Sequence, residues 1–368
     1  MANGHSTAIG GPSSGGLMDS KAAQWVRANF FSSWWNTALS LVLLYIVGKT
    51  LIWFLGWGVF NAVWYGPAAD CRAAKGIGAC WAVFPEKWRF ILFATYPYDE
   101  QWRPALSCVI FFALYVYSAL RVNWNGRLPL VWIVGLLAIA FLMWGGTFGL
   151  SFVPQERWGG LVLTLILSTF GIALAFPLAI LLALGRRSHM PAIKTLCVVY
   201  IELIRGVPLI SLLFMASVMF PLFLPEGITI DKLLRAQIAI IGFAGAYLAE
   251  VVRGGLQALP KGQYEAADAL GLSYWQATRM IILPQALRMV IPPMVNTFIG
   301  LFKDTSLVLI IGLLDILNAA KTAVSDPAWR GFGPDVYFGV SLIYFVFCFA
   351  MSKYSQQVEH ELNRDRHR

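Results

Sequence analysis

The chain has 368 residues, of which 58% are hydrophobic and 13% charged, with a formal net charge of +9. A soluble domain carries about 25% charged residues, so this composition excludes an ordinary water-soluble fold and calls for lipid around most of the chain. The basic residues sit in short clusters between apolar runs and form no continuous basic face, which argues against nucleic acid and for orientation in a bilayer.

Residues 1–20 are rich in Gly and Ser and nearly uncharged, too poor in apolar side chains to order themselves, and an unstructured tail is expected to run to about residue 37. The first apolar run, 38–60, is far longer than the 7–15 residues of a signal-peptide core, so it is retained as a helix. About 20 apolar residues are needed to cross a hydrocarbon core of ~30 Å. Runs of that kind predict spans at 38–60, 105–120, 128–150, 160–184, 208–224, 236–252, 290–314 and 336–351. The predicted fold is therefore an all-α polytopic membrane protein with about eight transmembrane helices. Arginine or lysine follows every second span: Arg121 and Arg127, then Arg186, Arg187 and Lys194, then Arg253 and Lys261, then Lys353 and Arg364. Positive residues favour the cytoplasmic side, which places both termini there, including a C-terminal tail at 361–368.

The connection 61–104 is then periplasmic, and its Trp and Tyr content suits a cap on the outer membrane surface. Cys71 and Cys80 fall within it, without the paired spacing or nearby histidines of a zinc site, and an oxidising compartment would let them form a disulfide. Cys108, Cys197 and Cys348 lie in apolar runs and read as small hydrophobes. Lys49 interrupts the first span as a snorkelling or interhelical charge. Gly48-Lys49-Thr50 lacks the glycine and the strand–loop–helix context of a phosphate-binding loop. The four histidines, His5, His189, His360 and His367, are scattered, so neither a metal centre nor a catalytic triad is indicated.

The segment from Pro260 to Pro284 is too polar to cross. Pro260 and Gly262 end the incoming helix, 264–269 is a good helix former, Gly271 permits a sharp turn, and 274–282 is a second helix before Leu283-Pro284 resets the chain. Such a cytoplasmic helix–turn–helix can sit in a groove on a partner, with Ala266 and Ala267 allowing close approach and Tyr264, Leu270 and Leu272 as apolar anchors. Glu265-Ala266-Ala267, then Gly271, then Ile281-x-Leu283-Pro284 resembles the EAA loop of ABC importer permeases at each signature position. Three further runs, Tyr200 to Pro208, Glu250-Val-Val-Arg-Gly-Gly255 and Lys303-Asp-Thr-Ser-Leu307, narrow the resemblance to permeases for polar amino acids of the histidine/glutamine type. The likeness covers roughly 160–360, a five-helix core over 155–360, and the three preceding spans over 38–150 are an addition similar to that of the long permeases for general L-amino acids.

The resemblance implies a permease subunit of an ATP-binding-cassette importer in the bacterial inner membrane, with Tyr264, Glu265, Ala266, Ala267, Asp268 and Gly271 coupling it to a separate ATPase dimer. It also implies a second permease subunit, different from this one, and a periplasmic amino-acid-binding protein. ATP and Mg²⁺ would then belong to the ATPase, and this chain would hold no cofactor. Lys303, Asp304, Thr305 and Ser306 interrupt the seventh span, and broken helices expose backbone dipoles that can hold the charges of an amino acid, so they are candidates to line the pathway; a local salt bridge or gate hinge is the other reading. Glu202 and Arg205, three residues apart, can pair with each other at the cytoplasmic border or face the pathway. The rival function is an ion-coupled secondary transporter, which needs no partner and would give the EAA-like hairpin no purpose.

Overall fold

The computed structural model describes residues 21–364, with side-chain surroundings given for 24–361; the first 20 residues of the expected N-terminal tail and residues 365–368 of the C-terminal one lie outside it. A chain in lipid has no water to satisfy its backbone, so apolar runs close their hydrogen bonds as helices, and the described architecture is all-α. The residues fall into two compact units, one ending at Cys80 and the other beginning at Trp81.

In the first unit, α1 (Lys21–Phe30) forms inside the stretch that composition assigned to an unstructured tail. Ser33 caps α2 (Trp34–Leu55), which continues through a π-helical turn, Gly56–Phe60. α3 (Ala68–Ala73) carries Cys71, which is bonded to Cys80 with 5.4 Å between their Cα atoms, and both are buried.

The second unit starts with α4 (Val83–Phe93), α5 (Trp102–Ala119) and α6 (Leu128–Trp144). Then come α7 (Gly160–Arg186), α8 (Pro191–Gly206), α9 (Leu209–Phe214) and α10 (Lys232–Ala258). The hairpin is built from α11 (Lys261–Ala269) and α12 (Tyr274–Ala277), and α13 (Leu283–Met289) leads into α14 (Ile291–Asp304). A short α15 (Ile316–Ala323) precedes the long α16 (Gly333–Arg364). Among the described residues, six helical stretches are long and apolar enough to cross a bilayer, and α8 with Leu209–Phe223 supplies a seventh, bent by 103°. The shorter apolar α6 fills the remaining expected position.

α8 is a departure from expectation. Its sequence mixes Lys194, Glu202 and Arg205 with apolar residues, the pattern of a cytoplasmic border before a span at 208–224. Glu202 and Arg205 instead pair with charges on α7 and α10, and the bend follows from Pro208, which holds Val207 in an extended conformation (φ −113°, ψ 133°).

The core of this unit is the packing of α7 on α10. Gly171, Ala175, Ala179 and Ala183 recur every four residues along α7, and all four are buried. Small side chains at that spacing let two helices approach closely, which matters in lipid because burial of apolar surface does not drive helices together there. Asp231 starts α10 by accepting from the amides of Leu233 (2.7 Å) and Leu234 (3.2 Å).

The connection over 81–104 does more than rest on a membrane surface. α4 packs on α7 and α15, and its end crosses the start of α7 so tightly that a Cβ on Gly160 would overlap the Leu92 carbonyl. Gly160 also has φ +67°, so only glycine fits on both counts. Tyr96, Arg103 and Glu100 form a buried polar knot with the end of α6. The Arg103 guanidinium donates to the carbonyls of Leu142 (2.5 Å), Met143 (3.5 Å) and Ser151 (2.9 Å), and burial pushes the Tyr96 hydroxyl up to about 12.

Candidate coupling and transport site

α10 and α11 are separated only by Leu259 and Pro260, so the hairpin follows α10 almost directly. α11 ends at Ala269, and two residues on Gly271, with a φ of +68°, takes the left-handed conformation that turns the chain. Ser273 then opens α12 with a capping box: its hydroxyl accepts from the Gln276 amide while the Gln276 side chain accepts from the Ser273 amide at 2.9 Å. The expected reset at Leu283-Pro284 does not occur. The chain passes from α12 through a π-helical turn, Thr278–Ile282, into α13, with Pro284 in the first turn of that helix, where its missing N–H leaves no hydrogen bond unmade.

The hairpin has two faces. Ala267, Ala277 and Thr278 are buried against the body of the protein, and Gln285 donates to the Gln263 side chain at 2.9 Å to close the hairpin on α13. Glu265, Ala266, Asp268, Leu270, Gly271, Tyr274 and Trp275 point outward. Leu270 is 74% exposed and Trp275 67%, with the Tyr274 and Trp275 rings set edge to face. Tyr264, expected as an outward anchor, is turned inward instead. Its hydroxyl donates to the Leu256 carbonyl and accepts from Arg187 Nη1, both at 2.9 Å. Trp275 and Tyr274 were not named from sequence, although an aromatic pair just after a capped turn was there to be read.

Glu202 and Arg205 do not pair with each other. Glu202 lies 2.8 Å from Arg186 at the end of α7, and Arg205 lies 3.8 Å from Glu250 on α10. Glu250 also meets Arg186 at 3.0 Å and Arg253 at 2.7 Å, so one largely buried carboxylate is shared by three guanidinium groups. The matching runs flagged Glu250 and Arg253, but only the fold reveals that Arg186 joins them.

The seventh span is helical without interruption over Ile291–Ile311: α14 tightens to 3₁₀ geometry over Thr305–Ile311 and ends at Gly312, with φ +76°. Lys303 is exposed, Asp304 and Ser306 are half-buried and Thr305 is buried. The hydroxyls of Thr305 and Ser306 are used within the chain, donating to Phe302 O and Lys303 O at 2.8 Å. The Ser306 carbonyl accepts from Asn318 at 2.7 Å, and Asn318 is held in turn by Asp315. Asp315 is fully buried, caps α15 through the amides of Leu317 and Asn318, and accepts from the Tyr344 hydroxyl at 2.8 Å; burial pushes its carboxyl up despite these donors. Asp315 and Asn318 went unnoticed in sequence because their partners, Tyr344 and the Ser306 carbonyl, are supplied by α16 and by the 3₁₀ end of the seventh span.

A cavity of about 740 Å³ lies between α8, α9 and α10. Tyr200, Leu212, Met219, Gly242 and Phe243 line it, with Arg235 as its cation, and Arg235 donates to the Ser217 carbonyl. Among the described residues no group of three or more His, Cys, Asp or Glu is arranged to hold a metal ion.

Residues 175–359 match the family described as the binding-protein-dependent transport system inner membrane component. The chain is 49% identical to the inner membrane amino-acid ABC transporter permease protein YhdY of Escherichia coli, over 94% of this chain and 95% of that protein. It is 41% identical to the glutamate/glutamine/aspartate/asparagine transport system permease protein BztC of Rhodobacter capsulatus, over 94% of each. A solved amino acid ABC transporter, crystallised with histidines, is 33% identical and covers 55% of this chain and 92% of its own, with a TM-score of 0.49. The two long relatives extend across the N-terminal helices as well as the matched core.

Proposed function

The chain belongs to the family of binding-protein-dependent transport system inner membrane components, and on that premise we propose that its α11–α12 hairpin couples an amino-acid pathway to a separate ATPase. The chain is a permease subunit of an ABC importer, a multi-pass inner-membrane protein and not an enzyme, and an ATPase and a substrate-binding protein work with it. The observation that carries the coupling reading is the two-faced hairpin: Leu270, Tyr274 and Trp275 stand bare while Tyr264, Ala267 and Gln263 hold the same hairpin to the membrane helices. Glu265, Ala266, Asp268 and Gly271 share the bare side and meet the ATPase in this reading.

The polar L-amino acids carried include acidic and amide ones; the relationship to the Rhodobacter permease over nearly the whole chain supports this class. ATP and Mg²⁺ are held by the ATPase subunits. A second, different permease completes the pathway in this reading; the cavity wall of this chain carries one charged side chain, Arg235, and no carboxylate to meet a substrate ammonium group. Lys303, Asp304, Thr305 and Ser306 line the pathway where the seventh span changes from α to 3₁₀ geometry, while Glu202 and Arg205 serve the charge network. Both termini and the hairpin are cytoplasmic, an orientation supported by the clustering of Arg186, Arg187, Arg205 and Arg253 at the hairpin end of the helices. ATP binding closes the ATPase pair, displaces the hairpin and shifts the pathway between its inward and outward populations.

Leu270→Asp tests the assignment. Leu270 touches little of its own chain, so the substitution is expected to change folding by no more than about 0.5 kcal/mol. ATP-driven uptake of labelled glutamate and glutamine should fall to background in vesicles carrying the whole complex, and co-purification of the ATPase should be lost. Uptake at the unsubstituted level would overturn the reading.

A further inference from the structure

Arg186 and Arg187 are neighbours at the end of α7, yet their guanidinium groups reach different structures. Arg187 Nη1 donates to the Tyr264 hydroxyl of α11 and to the Leu256 carbonyl of α10, both at 2.9 Å. Its guanidinium carbon stands 5.4 Å from the centre of the Tyr264 ring, and the Tyr264 hydroxyl donates to the same Leu256 carbonyl at 2.9 Å. Three elements therefore meet at one carbonyl. Arg186 turns the other way, to Glu202 of α8 at 2.8 Å and Glu250 of α10 at 3.0 Å.

The backbone between α10 and α11 is only Leu259 and Pro260. Two residues fix the distance between the helices but leave their relative direction free to turn about the dihedral angles of Leu259. The Arg187–Tyr264–Leu256 knot removes that freedom. A planar guanidinium is suited to the task, because its donors are held in a rigid fork and its face can stack on a ring at the same time. On the other side of α11 the Gln263–Gln285 bond reaches α13, so α11 is held on both flanks.

We propose that Arg187 is a positioning residue that carries displacement of α11 into the membrane helices, and that Arg186 passes it on to α8 through Glu202 and Glu250. A push on the outer face of α11 moves Tyr264, Tyr264 moves the end of α7 through Arg187, and the adjacent Arg186 moves with it. Because Glu250 is shared by Arg186, Arg205 and Arg253, any shift of the α7 end redistributes charge contacts among α7, α8 and α10 together. The inference rests on the reading that the outward face of the hairpin meets the ATPase.

The test is made on the complete importer, with both permeases, the ATPase and the binding protein reconstituted in proteoliposomes. ATP hydrolysed and labelled amino acid imported are measured in the same sample for Arg187→Ala, Arg187→Lys and Tyr264→Phe. With Arg187→Ala the ATP consumed per amino acid imported is expected to rise about tenfold, the scale of a typical coupling between sites. Arg187→Lys should recover part of the loss, and Tyr264→Phe, which keeps the ring but lacks both hydroxyl bonds, should also raise the ratio. A parallel fall of hydrolysis and uptake, with the ratio unchanged in assembled complexes, would show a merely structural contact and overturn the proposal. If Arg187→Ala does not assemble, the same two outcomes are read from Tyr264→Phe and Arg187→Lys. Failure of the docking reading is separately visible, as a Leu270→Asp complex that still holds its ATPase and transports.

Discussion

Lys87 and Asp326, 239 residues apart, meet at 2.7 Å and pin the segment before α16 to α4. The bond from Lys87, helped by the Ala328 amide at 2.9 Å, holds the Asp326 carboxyl below the ordinary carboxylate value. A carboxyl depressed in the folded state stabilises the fold above its unfolded value, about 3.9, and that contribution is lost as pH falls through the folded value. The melting temperature of the detergent-solubilised protein should therefore exceed that of Lys87→Met by a margin that stays constant from pH 7 to about 4 and shrinks below it. A margin that ignores pH would mean that Lys87 acts through packing alone. Pairs of this kind were hidden in the sequence, as were Arg186 with Glu250 and Asp315 with Tyr344, because nothing local says which distant helix supplies the partner. Gly271 was legible because its requirement is local: a turn between two helical runs needs a left-handed residue.

Helix ends show how an element can depend on a side chain from another. At the end of α6 the Phe141 and Trp144 carbonyls accept from the amides of Gly145 and Val153, while those of Leu142 and Met143 are met by side chains: Arg103 of α5, with 0% of its surface exposed, donates to both, as does the Tyr96 hydroxyl. Arg103 also lies 3.3 Å from Glu100. Replacing it by Met strips the Ser151 carbonyl of its guanidinium donor and leaves Glu100 with the Ser151 hydroxyl in place of a cation, and a loss of about 3–5 kcal/mol is expected in chemical denaturation in detergent. Arg103→Lys, which can reach only part of the set, should fall in between; a Met variant as stable as the parent would show that water replaces the guanidinium. The long spans were legible from apolar run length, since lipid leaves an apolar run no other way to satisfy its backbone. α8 was not, because amphipathic helices with charges at their ends look like borders until the neighbours that neutralise them are known. The path through Pro284 was missed for a different reason: a π-helical turn lets proline follow a helix without a break, and no pattern of apolar residues announces it.

Across the whole molecule, composition dictated a membrane protein, and the spacing of a few residues in one polar connection dictated which kind. The two-sidedness of that connection emerged only in three dimensions: Tyr264 and Ala267 face in, while Leu270, Tyr274 and Trp275 face out. The bare tip has a consequence for the life of the subunit in the cell. Exposed apolar clusters are what chaperones and proteases recognise on unassembled chains, and steady-state abundance follows from how long they stay uncovered. Permease made in excess of its ATPase should thus be cleared, so that turnover itself enforces subunit stoichiometry. In a pulse–chase experiment the half-life of the chain should shorten when the ATPase is absent and lengthen again when Leu270→Asp and Trp275→Ser remove the apolar tip; equal half-lives in all three cases would leave the tip with no part in quality control.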